Sequence, residues 1–194
     1  MERQEKRRVR TRRGVTLIEM LIVMVIIGIV ASFAIPKIDL TRIRVDTAMQ
    51  TAGTTLLASQ RLAVTRGHDV VVMFDAANST LRVHEDADND GAVGNNERVR
   101  GYPLGDLVVF GLGGAPARPV GNTAITFQQM REGLPAVVFH RSGSASEFGG
   151  VYLTSRRATL AAGLSKDTRV LEIERSTGRA SWFRYTGAVW SQGF

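Results

Sequence analysis

A single acid interrupts the most apolar stretch of this chain. From Val15 to Ile35 the sequence reads VTLIEMLIVMVIIGIVASFAI, and Glu19 is its one ionisable side chain. A carboxylate deep in a membrane helix costs on the order of 2.5–3.5 kcal/mol on insertion scales, and less near an end. It can snorkel to the headgroups, or it can meet a cation within the membrane. Cleavage after Gly14 would create that cation, because Val15 would then carry a free α-ammonium at the helix start. A helix cannot comfortably fold Glu19 back onto its own terminus. A neighbouring helix shifted along the axis can present its terminus there, and each such pair offsets the desolvation of both charges and fixes a register between subunits.

A second constellation has cation-binding spacing. Asp86-Ala87-Asp88-Asn89-Asp90-Gly91, five further residues and then Glu97 follow the EF-hand loop, with Val93 after the backbone-ligand position. Hard oxygens from Asp86, Asp88, Asp90 and Glu97, with a glycine for the sharp turn, suit Ca²⁺, so calcium is the candidate cofactor. The preceding LRVHE reads as strand where an EF-hand has helix. A polar hairpin loop uses the same Asp, Asn and Gly residues, and that alternative stays open.

Catalytic patterns are absent. His68, His84 and His140 stand apart in sequence, which is the default for surface or strand histidines. The HRSGSAS run lacks a Gly-x-Ser-x-Gly elbow, and Gly111-Leu112-Gly113-Gly114 runs into Ala-Pro, so it reads as loop rather than dinucleotide turn. There is no cysteine, which removes disulfides and thiolate metal sites.

The elements that position these residues follow from charge and periodicity. The chain has 194 residues and a net charge of +7, room for one domain and an appendage. Residues 1 to 14 hold seven Arg or Lys and two Glu, a net of +5, leaving +2 on the rest. A nucleic-acid-binding protein would spread its excess over the folded part; here it sits in a tail before an apolar stretch, as in a targeting signal. Twenty-one residues of helix span about 32 Å against roughly 30 Å of bilayer hydrocarbon. Residues 15–35 are therefore expected to cross a membrane. The basic N-terminal flank would face the cytoplasm.

Beyond Pro36, apolar or small residues recur at Val45, Ala48, Ala52, Leu56, Ser59 and Ala63, and Gly67 offers a stop. This predicts one continuous helix of about 50 residues, its first half in lipid and its second, over 36–66, laid on a sheet. Strand-type runs follow at 70–74, 80–85, 106–110, 123–127, 136–140, 150–154, 169–174 and 179–185. Leu171 and Ile173 alternate with Glu172 and Glu174, the pattern of a sheet with one buried face. The predicted class is α+β: a long N-terminal helix packed on antiparallel β-sheet, with a β-rich domain over 67–194.

Gly14-Val15-Thr16-Leu17-Ile18-Glu19, with basic residues before and an apolar helix after, resembles the class III signal of type IV pilins and pseudopilins. That resemblance implies a pilin-like fold and a 1–14 leader removed between Gly14 and Val15 by a prepilin peptidase. It also implies N-methylation of Val15 and use of Glu19 in filament assembly. Val15 stands where the family usually has Phe; Pro36 matches its helix-bending proline. The implied partners are other pilin or pseudopilin subunits, the inner-membrane assembly platform and membrane lipid. The implied location is the inner membrane, single-pass, with a periplasmic C-terminal domain that enters a filament. The order of later features is similar to the GspH/FimT subfamily: the loop from Asp86 to a strand at Arg100, Phe139 with Gly143 before Gly-Val-Tyr-Leu, and the Thr177-Gly178-Arg179 turn. The implied role is a minor pseudopilin of type II secretion or a minor type IV pilin.

Two alternatives remain beside it. Some FimT-like minor pilins bind DNA through C-terminal Gly-Arg motifs, and Arg179 and Arg184 stand among Trp182, Phe183 and Tyr185. Arg beside aromatics serves strand capture, or simply cross-strand packing. Arg12-Arg13, or Ser32-Phe33-Ala34, could instead mark a twin-arginine or secretory signal, giving an exported soluble protein. Neither signal explains an acid at Glu19.

Overall fold

The computed structural model describes residues 14–34, 39–94 and 97–193. It divides into two compact units, Met1–Asp39 and Leu40–Phe194. In the first, α1 (Leu17–Ala34) is an 18-residue helix of nearly unbroken apolar character. Its length is about 27 Å at the helical rise. Among the described residues no helix is long and apolar enough to cross a membrane. The expected span of 15–35 also counts Val15 and Thr16, which precede the helix, and Ile35, which lies outside the described residues with Pro36.

The expected continuous helix is corrected to two. Asp39 is described and non-helical, and α2 starts after it, at Leu40, and runs to Arg66. The reason is local: aspartate favours the position preceding a helix, and a proline upstream cannot donate the backbone bond that continuity needs. Within α2 the periodicity expectation holds. Val45, Ala48, Ala52, Leu56, Ser59 and Ala63 are all buried, joined by Met49 and Thr55.

The second unit encloses α2 with two five-stranded sheets rather than one. The strands are β1 (Asp69–Asp75), β2 (Thr80–Asp86), β3 (Arg98–Pro103), β4 (Val108–Phe110), β5 (Met130–Arg131), β6 (Leu134–Phe139), β7 (Gly149–Ser155), β8 (Arg169–Ile173), β9 (Ala180–Tyr185) and β10 (Trp190–Gln192). Their orders are β3-β2-β1-β6-β5 and β10-β9-β8-β7-β4. The pairings are antiparallel, as expected; Val72 faces Val83 and Val137, and Val151 faces Leu171. Leu56, Val72, Phe74, Phe139, Leu153, Leu171 and Ile173 form the core between helix and sheets.

Two expectations about strands need correction. The segment 123–127 is not a strand. It runs beside the first half of β7, where Tyr152 N donates to Ala124 O and Thr126 N to Gly150 O. The Thr126 hydroxyl then takes the Gly150 N–H at 2.8 Å, so a side chain replaces the next ladder bond. This close approach needs glycine. A Cβ on Gly150 would lie 2.9 Å from Val120 Cγ2, and one on Gly149 would lie 2.6 Å from the Phe127 ring. The second correction concerns the face bearing Glu172, which is not open. Val120, Tyr152 and Val170 are buried there with Phe183 and Trp190 against them.

Candidate functional site

The N-terminal site is built by the first turn of α1. Thr16 immediately precedes the helix, and its hydroxyl accepts the Glu19 N–H at 3.3 Å. Thr-x-x-Glu is the capping-box spacing, a signal that the pattern of acid and leader obscured. Glu19 thus sits in the first turn, where a negative charge is favoured by the helix dipole. Gly14, Val15 and Glu19 are exposed in the single chain, and so are the apolar side chains around them, Leu17 at 85% and Met24 at 70%. The cap bond is made by the Glu19 backbone N–H, and its carboxylate stands exposed among exposed apolar side chains. Chemically it can accept a cation from outside the chain.

The acidic loop is folded by its own amides. Asp86 Oδ1 accepts from Asp90 N at 3.1 Å and Asp86 Oδ2 from Gly91 N at 2.9 Å. The tight path needs positive φ at Asn89 (60°) and Gly91 (75°). Asn89 in turn accepts from Asp69 N at 2.8 Å, which fastens the loop to the start of β1. One oxygen each from Asp86, Asp88 and Glu97 lie within 4.8 Å of one another. Asp90 does not join them; its carboxylate accepts from Ala92 N at 2.7 Å.

Glu97 is turned inward. It takes His84 Nε2 at 2.7 Å, Ala87 N at 2.8 Å and Gly94 N at 2.8 Å. Those contacts, the Gly94 amide first and then His84, hold its carboxyl down to about 2. Burial pushes Asp86 the other way, above its ordinary value, and the Glu97 charge adds to the rise. His84 is 1% exposed, so it is a buried strand histidine with a carboxylate partner and not an isolated one. Thirteen residues separate the pair, and only the hairpin that returns through β3 brings them together. A cation here would coordinate Asp86 and Asp88 and share Glu97 with His84.

Arg179 directly precedes β9 and Arg184 lies near its end, and both are exposed. Each borders an apolar hollow between β9 and α2, and Trp182 lines both hollows. The arginine that stacks on an aromatic ring is a different one, Arg118, whose guanidinium lies 3.6 Å from the Phe183 centroid and pairs with Glu172. Sequence gave no signal for it, since 65 positions separate the partners.

Residues 9–35 match the family model described as the prokaryotic N-terminal methylation motif. The chain is similar to pilin-like protein PilA1 of Thermus thermophilus, with 29% identity over 135 residues, covering 59% of this chain and 86% of that protein. No solved structure matches the chain. The methylation motif falls on Gly14, Val15 and the acid-bearing α1, and the helix-and-sheet domain behind it has the α+β build expected of such a subunit. The motif and this likeness together support a type IV pilin-like protein.

Proposed function

We propose that this chain is a minor subunit of a type IV filament machine, of the GspH/FimT kind, serving a type II secretion system or a type IV pilus. A prepilin peptidase removes residues 1–14, and residues 15–35 hold the trimmed chain in the inner membrane with the β-rich domain outside. Glu19 then docks on the Val15 ammonium of an adjacent subunit. The observation that carries this reading is Glu19 itself, a lone carboxylate in the first turn of an exposed apolar helix, five positions after Gly14. Intact-mass measurement of the membrane-extracted protein tests it. An N-terminus at methylated Val15 supports the proposal; one at Ile35 on a soluble product defeats it.

One observation favours a second reading. Trp182 of β9 stands between Arg179, which directly precedes the strand, and Arg184, and cation–aromatic–cation spacing suits single-stranded DNA. A gel shift with single-stranded DNA that is lost in the Arg179→Ala, Arg184→Ala double variant would support it, and one that survives would remove it.

A further inference from the structure

The β-rich unit carries an apolar tip with a basic rim at the end where α2 begins. A short helix, α3 (Arg156–Leu160), follows β7 and is capped by Ser155, whose hydroxyl accepts from Ala158 N. The chain then turns through Ala161, Ala162 and Gly163 (φ 87°) into one turn of 3-10 helix at Ser165–Asp167. Leu160 is 82% exposed, and Ala161, Ala162 and Gly163 are exposed with it. Arg156 and Arg157 precede this tip and Lys166 follows it. A largely exposed leucine beside exposed alanines leaves apolar surface in water, and flanking cations are what an interfacial anchor uses.

Its place in the fold is fixed by ion pairs. Arg157 Nε donates to the buried Asp167 at 2.8 Å, and Arg42 Nε, in the first turn of α2, reaches the same carboxylate at 3.4 Å. Arg156 N donates to Leu107 O at 2.8 Å, and Arg156, Arg44 and Leu107 border one hollow. The acids on this end among the described residues include Asp39 just before α2, Asp75, bonded to Asn78, Asp106, Asp167, held by Arg157, and Asp46, held by Arg169 at 2.6 Å. Arg156 and Lys166, which flank the tip itself, are exposed, and Asp167, next to Lys166, is buried against Arg157, so the rim of the tip presents positive charge. Only residues 35–39 separate α1 from α2, a reach of no more than about 20 Å. With α1 in a bilayer, that reach bounds how far Leu40, and the Arg42, Asp167 and Arg157 cluster beside it, can stand from the surface.

We propose that the Leu160–Gly163 tip, rimmed by Arg156, Arg157 and Lys166, docks on the phosphates of anionic phospholipid headgroups. The apolar tip enters the headgroup layer and the cations meet the phosphates. This rests on the membrane anchoring proposed above, and the test separates the two. The chain has no cysteine, so single spin labels can be placed at Ala162→Cys, at Met24→Cys within α1, and at Ser142→Cys. Ser142 is exposed beside Gly143, whose carbonyl accepts from Gln60 near the C-terminal end of α2.

The full chain is reconstituted in vesicles of phosphatidylcholine with or without phosphatidylglycerol. Relaxation by lipid-soluble oxygen is compared with relaxation by a water-soluble nickel complex. The expected result is a lipid-phase signal at Met24 in both vesicles, at Ala162 only with phosphatidylglycerol, and never at Ser142. Adding Arg156→Gln and Lys166→Gln lowers the docked-to-free ratio about fivefold per charge. Neither residue supplies the Asp167 ion pair, so the fold is kept. An Ala162 label that stays in water on phosphatidylglycerol vesicles, while Met24 reads lipid, overturns the docking alone. Equal immersion on phosphatidylcholine overturns the headgroup assignment. A Met24 label in water overturns the anchoring and the docking together.

Discussion

Replacing Glu19 with leucine separates assembly from insertion, because the two effects have opposite sign. Removing the carboxylate relieves up to about 3 kcal/mol of insertion cost, so the variant should reach the membrane at least as well as the natural chain. The helix start survives, since the bond that caps it runs from the Glu19 backbone N–H to the Thr16 hydroxyl at 3.3 Å. What is lost at the N-terminus of α1 is the side-chain charge on the dipole, about 0.3–1 kcal/mol. On the docking proposed above, the Val15 ammonium of the neighbour would be left buried without its partner. Breaking a buried pair on one side costs about 3–5 kcal/mol, a factor of roughly a hundred to a few thousand in each contact. Sheared filaments and membrane fractions from one culture, probed for this chain, give the ratio directly. Glu19→Leu should accumulate in membranes and be depleted at least a hundredfold from filaments, with Glu19→Gln close behind it. Equal incorporation of Glu19→Leu refutes the pairing.

Three further outcomes follow from the β-rich unit. Glu97 has its folded-state value lowered to about 2 from 4.5, so its contribution is complete above the unfolded value and disappears as pH falls through about 2. The urea midpoint of the detergent-solubilised chain should therefore fall in that window, and less steeply in Glu97→Gln. Asp86, raised by burial, has the opposite sign and blunts the effect, because its cost vanishes on protonation. Millimolar calcium should raise the melting temperature of the natural chain and leave Asp88→Ala unmoved; an equal shift in both removes Asp86, Asp88 and Glu97 as ligands. Leu56, fully buried between α2 and the sheets, should lose about 2–5 kcal/mol on Leu56→Ala, measured by chemical denaturation, and a loss under 1 kcal/mol would contradict the packing described.

The parts of the fold that were legible in the sequence are those with a strong period or a continuous apolar run. The α2 stripe from Val45 to Ala63 and strands such as VVVMF at 70–74 needed no tertiary knowledge. The parts missed are edge strands. β3 reads Arg-Val-Arg-Gly-Tyr-Pro, and β10 is three residues long; each becomes a strand through the neighbour it pairs with, β2 or β9. The 123–127 run failed in the converse way, since its β-type residues meet β7 at only a few bonds before Thr126 intervenes. At the candidate sites, Gly14, Val15 and Glu19 are proposed from the sequence, and the loop spacing includes Asp86, Asp88 and Glu97, whose oxygens the fold brings within 4.8 Å of one another. Spacing could not show that Glu97 faces His84, because the loop and β3 must fold back before the two meet.

How α2 is held bears on what a filament subunit must withstand. A chain pulled by its N-terminal helix transmits load into α2, and a helix buried along one stripe could slide. Here α2 touches strands of both sheets, β1 and β2 on one side and β7, β8 and β9 on the other. Polar ties are added at its ends. Near the start, Arg42 reaches Asp167 and Asp46 takes Arg169, both across more than a hundred positions of sequence. Near the end, Gln60 Nε2 donates to Gly143 O at 2.9 Å and Thr177 O at 2.6 Å. Burial alone would raise Asp167, yet the Arg157 and Ser155 hydrogen bonds outweigh it and its carboxyl is held below the ordinary range. The charged form that the Arg42 and Arg157 ties require is thereby favoured. Hydrophobic burial fixes which face of α2 turns inward, whereas directional bonds at both ends fix its position along its axis. The second property is the one that a register under tension requires.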